Sequence, residues 1–117
     1  MANRRIETLG VDETITRGTG NVFADLGFAD ADELQTKLRL AHALNSVIAR
    51  RRLTQTAAAE RLGVGQPKVS ALANYKLDGF SVERLMGFLT ALDQDVEIVI
   101  RNKPRSRAAG RILVVAA

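Results

Sequence analysis

The chain has 117 residues, 46% of them hydrophobic, with 4% aromatic residues, no cysteine, one histidine and a net charge of +4. That length holds one modest core with appended arms, and the shortage of aromatics leaves the core to Leu, Val, Ile and Ala. Without cysteine there is no disulfide framework or thiolate metal site. His42 alone makes no metal site, and neither a signal peptide nor a membrane-spanning run is read, so a cytoplasmic protein without cofactor or metal is expected.

The charge is unevenly placed. Residues 1–33 hold three basic residues (Arg4, Arg5, Arg17) against seven acidic ones. From Arg50 to Lys76 there are six basic residues (Arg50, Arg51, Arg52, Arg61, Lys68, Lys76) against Glu60 alone. Five more (Arg101, Lys103, Arg105, Arg107, Arg111) follow in 101–111 with no acid. A field centred on two such stretches is the footprint of a phosphate-binding surface.

Residues 1–29 read as an N-terminal arm. Met1 to Gly20 has no sustained period and ends in Gly-Thr-Gly. In Asn21 to Phe28, the residues Val22, Phe23, Leu26 and Phe28 form an apolar cluster, costly to leave in water at roughly 2 kcal/mol per large side chain. The cluster either caps the core or takes a partner.

A helix is expected from Glu33 to about Arg52, with Asp30 as N-cap and Glu33 three residues on. Leu34, Leu38, Ala41, Leu44, Val47 and Ile48 recur at steps of three and four and predict its buried stripe. The helix starts acidic and ends Arg50-Arg51-Arg52, which suits its dipole at both ends. The three arginines either reach phosphate or form a solvated helix end.

The stretch Leu53 to Lys76, LTQTAAAERLGVGQPKVSALANYK, predicts two short helices joined by a tight turn. Thr54 is an N-cap whose hydroxyl accepts from an amide of the first turn. Ala58, Ala59 and Leu62 share a buried face, and Gly63 ends the helix where positive φ is needed. Pro67 fits the first turn of the second helix, which needs no amide donor there. Val69 and Leu72 turn inward, leaving Gln66, Lys68, Ser70, Ala71 and Asn74 outward. Gln and Asn match adenine edges in the major groove, and Lys matches guanine or phosphate. An ordinary helical hairpin with a solvated face would share the gross pattern.

The detailed register resembles the helix-turn-helix of the λ-repressor-like regulators, the XRE family. Thr54, Gln55, Ala59, Leu62, Gly63, Gln66, Val69, Ser70 and Leu72 all fall on its signature. One departure is Tyr75-Lys76, where the family often has Gly-Lys. The resemblance implies that the second helix reads DNA. By position in the motif, Gln66 and Lys68 are the leading base-readers, with Ala71 offering its methyl to thymine and Ser70 touching bases or backbone. Gln55, Thr54, Asn74 and Lys76 are expected at phosphate. The segment GNVFADLGF followed by a helix is further similar to the HigA-like antitoxin branch, whose members act beside a small ribonuclease-like toxin.

Ser81 is read as the cap of a further helix with Val82, Leu85, Met86, Leu89 and Leu92 inward, completing a four-helix core. Beyond it, DVEIVIR (Asp95 to Arg101) alternates with period two, as a half-buried strand does. RILVVA (Arg111 to Ala116) is a second β-rich run, with a polar, turn-forming linker between them. A lone hairpin is marginal in water and open strand edges invite another chain. The strand from Asp95 is therefore expected to pair with its counterpart in a second subunit, the alternative being a hairpin on its own core.

The expected fold is mainly α: a λ-repressor-like helix-turn-helix domain (30–93) with an N-terminal arm (1–29) and a C-terminal β-strand or hairpin (94–117). The expected function is sequence-specific repression as a homodimer on a palindromic double-stranded operator, with the protein as autoregulating antitoxin of a toxin–antitoxin pair. The alternatives are a stand-alone XRE-type repressor and a non-enzymatic protein-interaction module. An enzyme is not expected, since no nucleophile–base pair, Gly-rich phosphate loop or paired carboxylates occur. RNA binding is disfavoured because Tyr75 is the single tyrosine and no stacking platform is visible.

Overall fold

A computed structural model describes residues 27–116. They form four helices: α1 (Gly27–Arg50), α2 (Gln55–Leu62), α3 (Gln66–Ala73) and α4 (Val82–Ala91). The chain divides into two compact units, 1–35 and 36–117. Of the first, only the opening turns of α1 are described. The expected arm and its apolar cluster otherwise lie outside the described residues. Among the described residues no helix is long and apolar enough to cross a membrane.

Helix α1 begins at Gly27, so Asp30 is inside it rather than at its cap. Nothing between Phe28 and Glu33 is a glycine or proline, and Ala29, Ala31 and Leu34 are good helix formers, so no residue forces a break there. Its buried stripe is Leu40, Ala41, Leu44 and Val47, flanked by half-buried Leu38 and Ile48. Leu34, expected on that stripe, is 53% exposed.

The second unit, 36–117, has its core where the helices converge. The largest fully buried side chains are Leu44 from α1, Leu72 from α3, Leu85 from α4 and Leu92 from its C-cap. Helix α2 packs on α3 and α4, and it does so through small side chains: Ala58 and Ala59 are buried, which lets the backbones approach. Phe80, in the loop after α3, meets Phe88 of α4 edge to face, ring centroids 6.0 Å apart.

All four helices stop in the same way. In each, an amide just past the helix reaches five residues back: Leu53 to Ile48, Val64 to Ala59, Lys76 to Ala71 and Gln94 to Leu89. The residue before it donates three residues back and takes the left-handed conformation. These residues are Arg52 (φ 55), Gly63 (φ 71), Tyr75 (φ 58) and Asp93 (φ 63). This closure satisfies carbonyls that a helix end leaves orphaned. Only one of the four uses glycine.

The expected C-terminal strands do not form. Asp95–Arg101 and Arg111–Ala116 carry no regular structure, and among the described residues no backbone hydrogen bond joins them. Glu97, Val99 and Arg101, together with Arg111, Leu113 and Val115 of the second run, line one open gap of about 750 Å³. Alternate residues facing the gap mark an extended course. The two runs thus border one open gap with no backbone hydrogen bond between them, and no hairpin ladder closes. Val96 and Val114 pack on the core, and Arg39 of α1 donates to the Val114 carbonyl at 3.4 Å. Ile98, Val99 and Ile100 are exposed, Ile100 by 92%.

Candidate nucleic-acid interface

The turn between α2 and α3 sets the site. Thr54 caps α2 in extended conformation, its Oγ1 accepting from the Ala57 amide at 3.0 Å. That leaves its O–H as a donor. Gly63 then makes the left-handed bend with no atom within 4 Å of where a Cβ would stand. Gly65 starts α3 and Pro67 sits in its first turn. Neither α2 nor α3 has an acidic residue in its first turn, so both positive helix ends remain uncompensated for phosphate.

This geometry brings two expected residues together. Gln55 opens α2 and Gln66 opens α3, both exposed, and Gln66 Nε2 reaches Gln55 Oε1 at 3.5 Å. A residue expected at phosphate thus orients the leading base-reader.

The other expected base-readers are placed differently. Lys68 is half-buried: its Nζ donates to the Gly79 carbonyl at 3.2 Å and lies 4.7 Å from the Phe80 ring centroid. A Cβ on Gly79 would come within 2.9 Å of that Nζ. Lys68 thereby ties α3 to the loop that follows it. Ser70 is half-buried, and Ala71 is half-buried against the core rather than fully outward. Asn74 is exposed, but its Nδ2 bonds back to the Ser70 carbonyl at 2.9 Å, so it finishes its own helix. Lys76 is exposed.

Two exposed residues of α3 were not anticipated as contacts, Pro67 and Ala73. Ala73 lies seven residues after Gln66, two helical turns along the same face, so periodicity carried that signal.

The orientation of α3 is held from behind. Asn45 of α1 donates to the Leu72 carbonyl at 3.1 Å, and His42 Nδ1 lies 3.3 Å from the Tyr75 hydroxyl. Tyr75 keeps the left-handed backbone where the resembling family often has glycine.

Basic residues also divide. Arg51 and Arg61 both reach Asp93 Oδ2 at 3.3 Å, clasping the end of α4 to α1 and α2. With Lys68 turned to Gly79 as well, the exposed cations of the Arg50–Lys76 stretch outside these contacts are Arg50, Arg52 and Lys76. The phosphate-facing charge is smaller than the sequence count implied.

Comparison with known proteins agrees with this architecture. A family described as a helix-turn-helix domain matches residues 22–101. A solved chain assigned to the XRE family of transcriptional regulators is 78% identical, with a TM-score of 0.73. That match covers 75% of this chain and 99% of the other. No curated protein matches the chain. The chain belongs to the helix-turn-helix family and, within it, to the XRE type of DNA-binding regulator.

Proposed function

We propose that the chain is a sequence-specific repressor that binds a palindromic operator as a two-fold dimer in the cytoplasm. The observation that carries this is the Gln55–Gln66 contact at the exposed, positively polarised ends of α2 and α3. It supports a reading in which one amide serves phosphate and the other a base edge, the division of labour by which backbone contacts position and base contacts specify. Gln66 is the leading base-reader. Ser70 and the Ala71 methyl lie further along the same helix, and Thr54, Asn74 and Lys76 serve phosphate. Lys68 reads a base only by leaving Gly79 and Phe80, so its first role is to brace α3.

The dimer reading rests on the tail: an alternating segment whose Ile98, Val99 and Ile100 stand in solvent. Two recognition helices about 34 Å apart would read both half-sites from one face of the duplex. The antitoxin role is the finer reading, supported by the similarity of GNVFADLGF to the HigA-like branch. It gives the protein a small ribonuclease-like toxin as partner and makes operator binding autoregulatory.

The test begins with selection of bound sequences from a random duplex pool. Gln66→Ala should then relax preference at one base pair by about 1–3 kcal/mol. Lys76→Ala should weaken all duplexes alike and lower the salt slope by about one. Identical behaviour of the two variants across sequences would overturn the placement of α3 in the groove. For the toxin, the neighbouring reading frame is induced alone and with this chain. Growth arrest relieved by co-expression supports the pair, and a harmless neighbour removes it while leaving DNA binding intact.

A further inference from the structure

Asp95 and Glu97 stand at the start of the DVEIVIR segment and Arg101 at its end, so the segment runs from acidic to basic. Its even-numbered residues Val96, Ile98 and Ile100 form one apolar face. Val96 is packed on the core while Ile98 and Ile100 are 75% and 92% exposed. Its odd-numbered residues Glu97, Val99 and Arg101 line the same gap as Arg111, Leu113 and Val115 of the second run. Among the described residues no backbone hydrogen bond joins the two runs. The backbone edge of 95–101 is the part of the tail left to pair.

We propose that this edge takes the same segment of a second copy, antiparallel, with Ile98 on the two-fold axis. The inference rests on the dimer reading above and fixes its polarity and register. With Ile98 opposite Ile98, residues pair so that their numbers sum to a constant: Asp95 meets Arg101 of the other copy, Val96 meets Ile100 and Glu97 meets Val99. Each copy's acidic end thus lies against the other's basic end, twice per dimer. The apolar face becomes continuous across the axis, with six β-branched residues on one side. Parallel pairing in register would set Asp95 on Asp95 and Arg101 on Arg101, and like charges directly opposite are destabilising. A shift by one residue would put each apolar face against the charged one. The arrangement is isologous, as a closed two-fold interface requires.

The chain has no cysteine, so single substitutions report the register directly. Ile98→Cys, Val99→Cys, Ile100→Cys and, as a control elsewhere on the tail, Ile112→Cys are made in the full chain. They are oxidised mildly and read as covalent dimer on a non-reducing gel. Directly opposed strand residues are close enough for a disulfide. Ile98→Cys should cross-link to itself while the other three should not. Sedimentation equilibrium then compares Asp95→Arg, Arg101→Asp and the double exchange. Each single change should weaken self-association by roughly tenfold, and the exchange should restore it. A dimer in sedimentation without an Ile98 cross-link, or one that cross-links better at Val99 or Ile100, overturns the register and leaves the dimer reading standing. A chain monomeric at micromolar concentration with and without operator overturns both, and DNA binding by the monomer remains.

Discussion

The helix-turn-helix and the tail are built from similar shares of apolar residues, yet one is closed and the other open. In 53–76 Thr54 caps α2, both helices fold back at their C-terminal ends, and Val69 and Leu72 are buried. In 95–116 only Val96 and Val114 reach the core, while Ile98, Ile100 and Val115 are largely exposed. A helix satisfies its backbone within itself and needs a neighbour only for its side chains. A strand needs a neighbour for its backbone as well, and the second run, which borders the same gap without a backbone hydrogen bond, does not supply one. Local pattern therefore completes the first region and only poises the second.

That contrast can be broken at several sites. The largest effect is expected at Leu72, which is 1% exposed. Leu72→Ala should cost about 2–5 kcal/mol in denaturant unfolding, whereas Ile100→Ala should leave monomer stability within about 0.5 kcal/mol. A comparable loss at both positions would mean that the tail belongs to the core. Next is Gly63→Ala, where only backbone strain opposes the change because the space is open. It should cost about 1 kcal/mol, read as a lower thermal midpoint. The smallest effect has the opposite sign. Arg52 holds the same left-handed position with an exposed side chain. Arg52→Gly should raise stability by a few tenths of a kcal/mol, roughly the strain relieved less the chain entropy glycine adds. A loss there would show that the arginine contributes contacts beyond its backbone.

Much of the helical region was legible in the sequence because each signal is short-range. Thr54, Gly63 and Ser81 cap or terminate helices by chemistry acting within a few residues, and all three do so in the structure. The buried residues of α2 and α3 followed from spacing alone. Less legible was anything that depends on residues distant in the chain. Lys68 has the composition of a base-reader, but Phe80 and Gly79 lie eleven or twelve residues on and draw its ammonium in. Arg51 and Arg61 look like a basic patch until Asp93 arrives from the far end of α4. The tail was misread as a strand or hairpin for a related reason. Alternation in DVEIVIR says that the segment suits a sheet, and says nothing about whether a second edge is present. Tyr75, finally, shows that a left-handed position does not require glycine when its flanking hydrogen bonds hold it.

The attachment of α3 to α1 has a consequence for how such a protein changes over generations. Asn45 fixes the far end of α3 through a main-chain carbonyl, and His42 touches the tyrosine just beyond it. Neither belongs to the face that α3 presents. On the proposed reading of α3 as the recognition helix, a substitution at either removes a support of that helix and is expected to alter how several of its side chains are presented at once. On that reading, operator preference is open to inheritance through α1, and two descendants with identical α3 sequences need not answer to the same promoter.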